Sequence, residues 1–289
     1  MGAAILPGAL SDESRLTPSA AIMHIVVCVK QVPDPEAAFS MFRVDEQAKK
    51  VMPVPGLRMV MSPFDEQALE AALRVREAAG AARITVMTLG ADSARAAIKH
   101  GLAMGADDGV LLSDPAFEDG DACTTARVLA AAIGKLGDCD LVLTGRQAAD
   151  WDAGIVGSGI AELLHMPVVT FARDVRVSDG SVRVERVVED GYDVIEAPLP
   201  AVVTVSNELG AARAPSLRET MRAARKPVVS WAAPDLGLSP SEVGAGGARR
   251  VLERLFVAEK NGACELLDGA TPEEQGAKLA RRLLEAKLL

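Results

Sequence analysis

The residues best suited to chemistry form the run Gly145-Arg146-Gln147-Ala148-Ala149-Asp150-Trp151-Asp152-Ala153-Gly154-Ile155-Val156-Gly157-Ser158-Gly159. The run leaves an apolar segment and enters one with helical spacing. Glycine permits close backbone approach to a ligand. Where a helix begins, the first N–H groups lack partners and the macrodipole is positive, so amides from Gly154 to Gly157 suit an anion such as phosphate. The local pattern fits equally a glycine-rich connection that holds nothing.

Other chemistries find little support. No G-x-S-x-G elbow is present, no cysteine stands in a nucleophile motif with histidine, and no carboxylate pair is singled out by context. Neither a dinucleotide fingerprint nor a G-x-x-x-x-G-K-[ST] phosphate loop follows the first apolar run. The histidines His24, His100 and His165 and the cysteines Cys28, Cys123, Cys139 and Cys264 show no metal-ligand spacing. Dispersed, unpaired cysteines point to a reducing compartment and no metal. Cys28 reads as a small core hydrophobe.

The elements that must position the glycine run follow a strict alternation. HIVVCVKQ reads as a buried first strand, rich in β-branched residues and too short for a helix. Ser62-Pro63-Phe64-Asp65-Glu66 reads as a helix start, with Ser62 as cap, Pro63 in the first turn and acids at the positive end; Gly80 closes that helix. RITVMTLG (83–90), VLLSD (110–114) and CDLVLTG (139–145) read as further strands. Helices lie between them in DSARAAIKHGLAMG and CTTARVLAAAIGKLG. GIVGSGIAELLHMP gives the next helix and VVTFARDV (168–175) the next strand. Such alternation implies a parallel sheet covered on both faces, with ligands at the carboxyl ends of its strands. From Val182 the pattern changes to an antiparallel hairpin turning near Asp190-Gly191, followed by a last apolar strand.

SLRETMRAARK reads as a short helix, and its basic run Arg218 to Lys226 as a solvated face. Pro234 to Gly247 reads as a linker. TPEEQGAKLARRLLEAKLL opens with Thr271 and Glu274 in a capping box and continues as an amphipathic helix with a stripe of Leu279, Leu283 and Leu284. The expected division is a disordered extension over residues 1–22, an α/β domain over 23–231, and a C-terminal arm with helix over 232–289.

The 289 residues, 49% hydrophobic, suffice for one large globular domain with an extension. The net charge of −9 repels a phosphate backbone and excludes nucleic acid as the expected partner. No apolar run approaches the roughly 20 residues of a membrane span, so direct membrane insertion is not expected. The first 22 residues lack the basic start and apolar centre of a secretory signal. A cytoplasmic location is the expectation.

Read together, the segments resemble the electron transfer flavoprotein β-subunit family, also called the FixA family. The resemblance runs from Met23 to about Trp231. It rests on V-x-V-K-Q-V-P-D at Val27–Asp34, S-P-F-D-E-x-A-L-E at Ser62–Glu70, G-L-A-M-G-A-D at Gly101–Asp107, D-L-V-L-x-G-R-Q-A at Asp140–Ala148 and L-P-A-V-V-T-V at Leu199–Val205. The resemblance implies a Rossmann-like, adenine-nucleotide-hydrolase-like, three-layer doubly wound α/β fold with a mostly parallel sheet, an antiparallel edge and a C-terminal arm. It implies an electron carrier subunit without catalysis of its own. An α subunit completes the heterodimer and supplies most contacts to a shared FAD, while this chain holds a mainly structural AMP.

The implied pocket comprises Cys28, Ser62, Pro63, Phe64, Asp65, Leu89, Gly90 and the loop from Gly145 through Arg146, Gln147, Ala148, Ala149, Asp150, Trp151, Asp152, Ala153, Gly154 and Ile155 to Val156. Family members commonly have Asn or Thr, Gln, and Thr or Val where this chain has Gly154, Ile155 and Val156, so phosphate would be held by main-chain donors. Trp151 is suited to stack on an adenine or a flavin, or to pack on its own domain. Leu209, in Ser206-Asn207-Glu208-Leu209-Gly210-Ala211-Ala212-Arg213, matches the family's leucine anchor for acyl-CoA or related dehydrogenases; without the resemblance it reads as a local packing residue. Electrons would pass to an ETF-quinone oxidoreductase or another acceptor. Some family members carry a second FAD in place of AMP and bifurcate electrons; the D-G-D-T-A-Q-V-G form of that subgroup is matched only in part by Asp150–Gly157. A different class, a stand-alone adenine-nucleotide-binding regulatory module with the fold of universal stress proteins, is disfavoured by the long C-terminal arm.

Overall fold

The computed structural model describes residues 22–52, 54–258 and 264–289. The extension expected over residues 1–22 lies outside them except for Ile22. The described residues divide into two compact units. One reaches to Met41 and resumes after Met52 as far as Glu253; the other joins Phe42–Met52 to Arg254–Leu289.

The first unit carries a nine-stranded sheet among its described residues. In chain order the strands are β1 (Met23–Cys28), β2 (Ala82–Leu89), β3 (Asp108–Leu112), β4 (Leu141–Gly145), β5 (Val168–Ser178), β6 (Ser181–Val188), β7 (Gly191–Pro198), β8 (Ala201–Val205) and β9 (Val229–Trp231). Their spatial order is β7-β6-β5-β8-β4-β1-β2-β3-β9. From β5 to β9 all neighbours are parallel. β6 and β7 add the expected antiparallel edge, with Val188 opposite Gly191 across a turn at Glu189 and Asp190.

Strand periodicity of two sorts the core into two layers. Ile25 and Val27 of β1, Ile84 and Val86 of β2 and Leu141 and Leu143 of β4 face α1 (Pro63–Ala79) and α2 (Arg95–Met104). Val26 and Cys28, Met87, and Val142 face α3 (Ala122–Leu136) and α4 (Val156–Leu164). Ile25, Ile84, Leu141 and Leu143 have no exposed surface, and each buried side chain of this size contributes about 2 kcal/mol of transfer free energy. Both faces are covered, which is why these strands are predominantly apolar along their length instead of alternating apolar with polar.

Helix ends follow local chemistry with one exception. Asp121 caps α3, accepting from the amides of Cys123 and Thr124, and Gly80 closes α1 in the left-handed conformation. Ser62, expected to cap α1, makes no capping bond. It is fully buried and its Oγ accepts instead from Ala149 N at 3.4 Å. Pro63 supplies the first turn without a donor, so the helix starts without the hydroxyl.

The stretch Pro234–Gly247, expected as a linker, packs within the first unit. Val243 is fully buried, and Ala233 N donates to Asp114 Oδ2 at 3.0 Å. Its prolines and glycines serve tight turns on the surface of α3 rather than flexibility. In the second unit, residues 44–45 and 50–51 form a short ribbon, and Arg254 pairs with Glu46 at 3.2 Å. The final helix, α6 (Pro272–Glu285), is capped by Thr271 as expected, its Oγ1 accepting from Glu274 N. No residue of α6 is buried; Leu279 is 49% and Leu284 61% exposed.

Candidate functional site

Strand order reverses between β1 and β4. β1 runs on to β2 through α1 on one face, and β4 runs on to β5 through α4 on the other, so the two connections part and leave a crevice at the carboxyl ends. Open α/β sheets bind ligands at such a switch point. Cys28 ends β1 opposite Thr144, and Gly145 ends β4 one residue further on. The other expected residues enter from the loops that follow.

Asp65, in the first turn of α1, reaches across this point. Its Oδ2 accepts from Lys30 N at 2.8 Å and its Oδ1 from Gly145 N at 3.0 Å. Gly145 is glycine for a steric reason: a Cβ there would stand 2.6 Å from Asp65 Oδ1, 2.7 Å from Phe64 Cβ and 2.9 Å from the Phe64 carbonyl carbon. Burial pushes the Asp65 carboxyl up to about 7, opposed by the two amide donors and by Lys30. Beyond it, Lys30 Nζ pairs with Asp150 at 2.7 Å. Ser62 is thus joined to Ala149, Asp65 to Gly145 and Asp150 to Lys30, with Phe64 packed against Gly145 and Cys28 at the end of the adjacent strand. Leu89 and Gly90 end β2 one strand over, half-buried, with Gly90 N donating to Leu112 O.

The loop from Arg146 to Ile155 holds its own shape. Asp152 N donates to Ala148 O at 3.0 Å, and Gln147 Nε2 to Asp152 Oδ1 at 2.8 Å. Gly154 takes a positive φ of 66° at the entry to α4. Ile155 at the cap position offers no side-chain acceptor, so the first-turn amides of α4 keep their donors for another group. Gly157 lets this turn settle on the sheet, since a Cβ there would stand 2.6 Å from Thr204 Cγ2 and 2.8 Å from Thr144 Oγ1. Asp150, Trp151, Asp152, Ala153, Gly154 and Ile155 are exposed, Trp151 by 56%. That ring is held outside the chain's own core and is available to a ligand or partner.

Arg146 was expected as part of the loop; its surroundings were not. The guanidinium lies 5.0 Å from the Phe64 ring centroid and 5.9 Å from that of Phe171, both in the cation–π range. Phe171 holds φ at +59°, a conformation costly for a bulky residue, and its N–H donates to Thr204 Oγ1 at 3.1 Å. No sequence pattern marks this position.

The segment after β8 is strapped to α1. Gln67 Nε2 donates to Asn207 O and Gly210 O, Arg74 Nη1 to Leu209 O at 3.2 Å, and Arg213 forms ion pairs with Glu70 at 2.7 Å and with Glu77. Leu209 is drawn inward by these bonds and is 7% exposed, within the core. The leucine that stands out on this stretch is Leu217, 78% exposed at the start of α5 (Leu217–Arg225), with Met221 59% exposed one turn on. Arg218, Arg222 and Arg225 flank them, exposed as the sequence reading had it.

Among the described residues no group of His, Cys, Asp or Glu is placed to hold a metal ion. No helix among them is long and apolar enough to cross a membrane.

A three-layer, mostly parallel α/β sheet, with a glycine-lined crevice and an open helix terminus at its switch point, defines the class of this protein. Residues 55–236 match the family described as Electron transfer flavoprotein domain. The chain is similar to the "Electron transfer flavoprotein subunit beta" of Megasphaera elsdenii, 34% identical over 92% of this chain and 100% of that one. It is similar to "Protein FixA" of Azorhizobium caulinodans, 35% identical over 90% of this chain and 95% of that one. It is 38% identical to the "Caffeyl-CoA reductase-Etf complex subunit CarD" of Acetobacterium woodii, over 92% of this chain and all of CarD. The chain belongs to the electron transfer flavoprotein family, in its β-subunit, FixA-type branch.

Proposed function

We propose that this chain is the β half of an electron-carrying heterodimer that shares an FAD with its α subunit and holds an AMP in its own switch-point crevice. The observation that carries the reading is the uncapped start of α4 beside Gly145 and Gly154, where amides stand ready for phosphate in a chain of this family. Ser62, the 145–156 loop and the exposed ring of Trp151 supply the remaining wall. The flavin contributes the capacity to hold one or two electrons. The chain's own residues contribute position: they hold a nucleotide and present surfaces to the α subunit and to electron donors. It has no catalysis of its own in this reading. Donors are acyl-CoA or related dehydrogenases, and the acceptor is an ETF-quinone oxidoreductase or an equivalent carrier. Four free cysteines accord with a cytoplasmic location.

A second reading is favoured by the similarity to CarD, which is named for a reductase–Etf complex: a second FAD replaces AMP and the heterodimer bifurcates electrons. Co-expression with the α subunit, then quantification of nucleotides released by denaturation, separates the two. One FAD with one AMP per heterodimer is expected. Two FAD in place of that pair would favour the second reading, and a colourless chain that binds no companion would overturn both.

Dehydrogenase docking falls to α5 in this reading, because Leu217 is exposed and Leu209 is not. Leu217→Glu is expected to raise the dehydrogenase concentration giving half-maximal electron transfer about tenfold or more, as loss of an interface anchor does, with no shift in the unfolding midpoint. Leu209→Ala is expected to do the reverse, lowering stability by about 2–3 kcal/mol at nearly unchanged docking. Titration of each variant with one dehydrogenase, beside a urea melt, checks both.

A further inference from the structure

One carboxylate joins the two strands that flank the switch point. β1 and β4 are paired from Ile25 opposite Leu141 to Cys28 opposite Thr144. Beyond that the chains diverge, one toward Lys30 and the other into the 145–156 loop. Asp65 spans the gap: it accepts from Lys30 N at 2.8 Å and from Gly145 N at 3.0 Å, and is 5% exposed. The Lys30 side chain continues the connection outward to Asp150 at 2.7 Å. Asp65, Gly145, the loop, Asp150 and Lys30 therefore form a closed ring of covalent and polar links around the crevice mouth.

We infer that Asp65 is a positioning residue: its carboxylate fixes the separation of the Lys30 segment and the start of the 145–156 loop, and adenine-nucleotide uptake depends on that separation. The inference rests on the nucleotide reading above. Two acceptor oxygens facing two N–H donors are required. Asparagine would keep one acceptor and set its own N–H against the second donor.

The same geometry makes the clamp sensitive to protonation near neutrality. The groups that face Asp65 are Lys30, whose charge favours the carboxylate, Asp150, which opposes it, and the Cys28 thiol. Burial outweighs them and lifts the carboxyl to about 7. Above that pH both oxygens accept and the clamp is closed. Below it one oxygen carries a proton, meets an N–H donor and releases one arm. The carboxyl stays buried in that opened state without one of the amides that lower its pKa, so the opened state binds the proton more tightly and closure strengthens as pH rises.

The test compares the purified full chain, together with whatever subunit it co-purifies with, as wild type and as Asp65→Asn. Amide exchange of peptides spanning Lys30 and residues 145–156 is followed from pH 6 to pH 8 without added nucleotide, corrected for the intrinsic pH dependence of exchange. AMP binding is followed over the same range by equilibrium dialysis. Wild-type protection is expected to rise about tenfold across that interval, as a single group titrating near its middle allows. Asp65→Asn is expected to show no such rise and to bind AMP about tenfold more weakly at pH 8. Equal AMP affinity in the two proteins, or a flat wild-type exchange profile, overturns the inference. A wild type that binds no AMP at any pH refutes the nucleotide reading instead. If Asp65→Asn yields no soluble protein, the wild-type exchange profile decides by itself.

Discussion

Gly145→Ala is expected to lower the unfolding free energy by about 3 kcal/mol, the upper end for overpacking a tight site, and to strip the chain of bound nucleotide. The new methyl group would meet Asp65 Oδ1 at 2.6 Å and the Phe64 backbone carbon at 2.9 Å. A flexible side-chain end could swing away; the backbone at the head of a buried helix cannot. Relief requires α1 to back off from β4, which lengthens the Gly145 N to Asp65 bond and opens the crevice. Chemical denaturation checks the stability and nucleotide content after denaturation checks the site. A variant as stable as wild type with its nucleotide retained would show that α1 and β4 are not in close contact there.

Glu70→Ala is expected to cost about 2 kcal/mol, the range for losing hydrogen bonds to charged groups, because the carboxylate is buried while both arginines are more than a third exposed. Glu70 is 5% exposed and takes bonds from Arg74 at 2.9 Å and from Arg213 through Nε at 2.7 Å, Nη2 and the backbone N–H. Without it Arg213 keeps only the exposed Glu77, and the segment carrying Leu209 loses its main tether to α1. The two arginines hold the Glu70 carboxyl below its ordinary range despite its burial. The stability it gives is therefore fully present above the unfolded carboxylate value of about 4.3 and is lost as pH falls through the lower folded value. The difference between wild type and Glu70→Gln in urea melts should shrink as pH is taken from about 6 to about 3. A difference that stays constant over that range would mean that packing, and not charge, makes the tether.

Much of this architecture could be read from the sequence because it rests on short-range rules. Ile25–Val29 and Leu141–Leu143 are unbroken apolar runs, and Ile84–Leu89 is broken only by the buried Thr85 and Thr88, because helices cover both faces of the sheet. The glycine at 80 and the threonine at 271 mark helix ends by local hydrogen bonding. What escaped the sequence depends on residues far apart. Ser62 has the spelling of a cap, but its hydroxyl answers Ala149, 87 positions away. Leu209 reads as a local packing residue from its own segment and as a docking anchor only through the resemblance; the reach of Gln67, Arg74 and Glu70 from α1 is what draws it inward. Val243 lies in a stretch whose composition says linker, and α3 gives it a place to be buried. The strained backbone of Phe171 has no local signature at all. Within the candidate site, the resemblance supplied the residues to look at, while the tie that Asp65 makes between the Lys30 segment and Gly145 needed coordinates.

The layer alternation of β1 has a chemical consequence. Cys28 points toward α3 and α4, 5% exposed, and burial raises its thiol far above the ordinary range. Oxidants and electrophiles attack the thiolate, and burial holds this sulfur as the thiol with little access to solvent. A wall of the crevice in a protein that handles electrons is thereby inert to peroxide and alkylating reagents, and redox stress would fall first on the exposed Cys264, in the other unit.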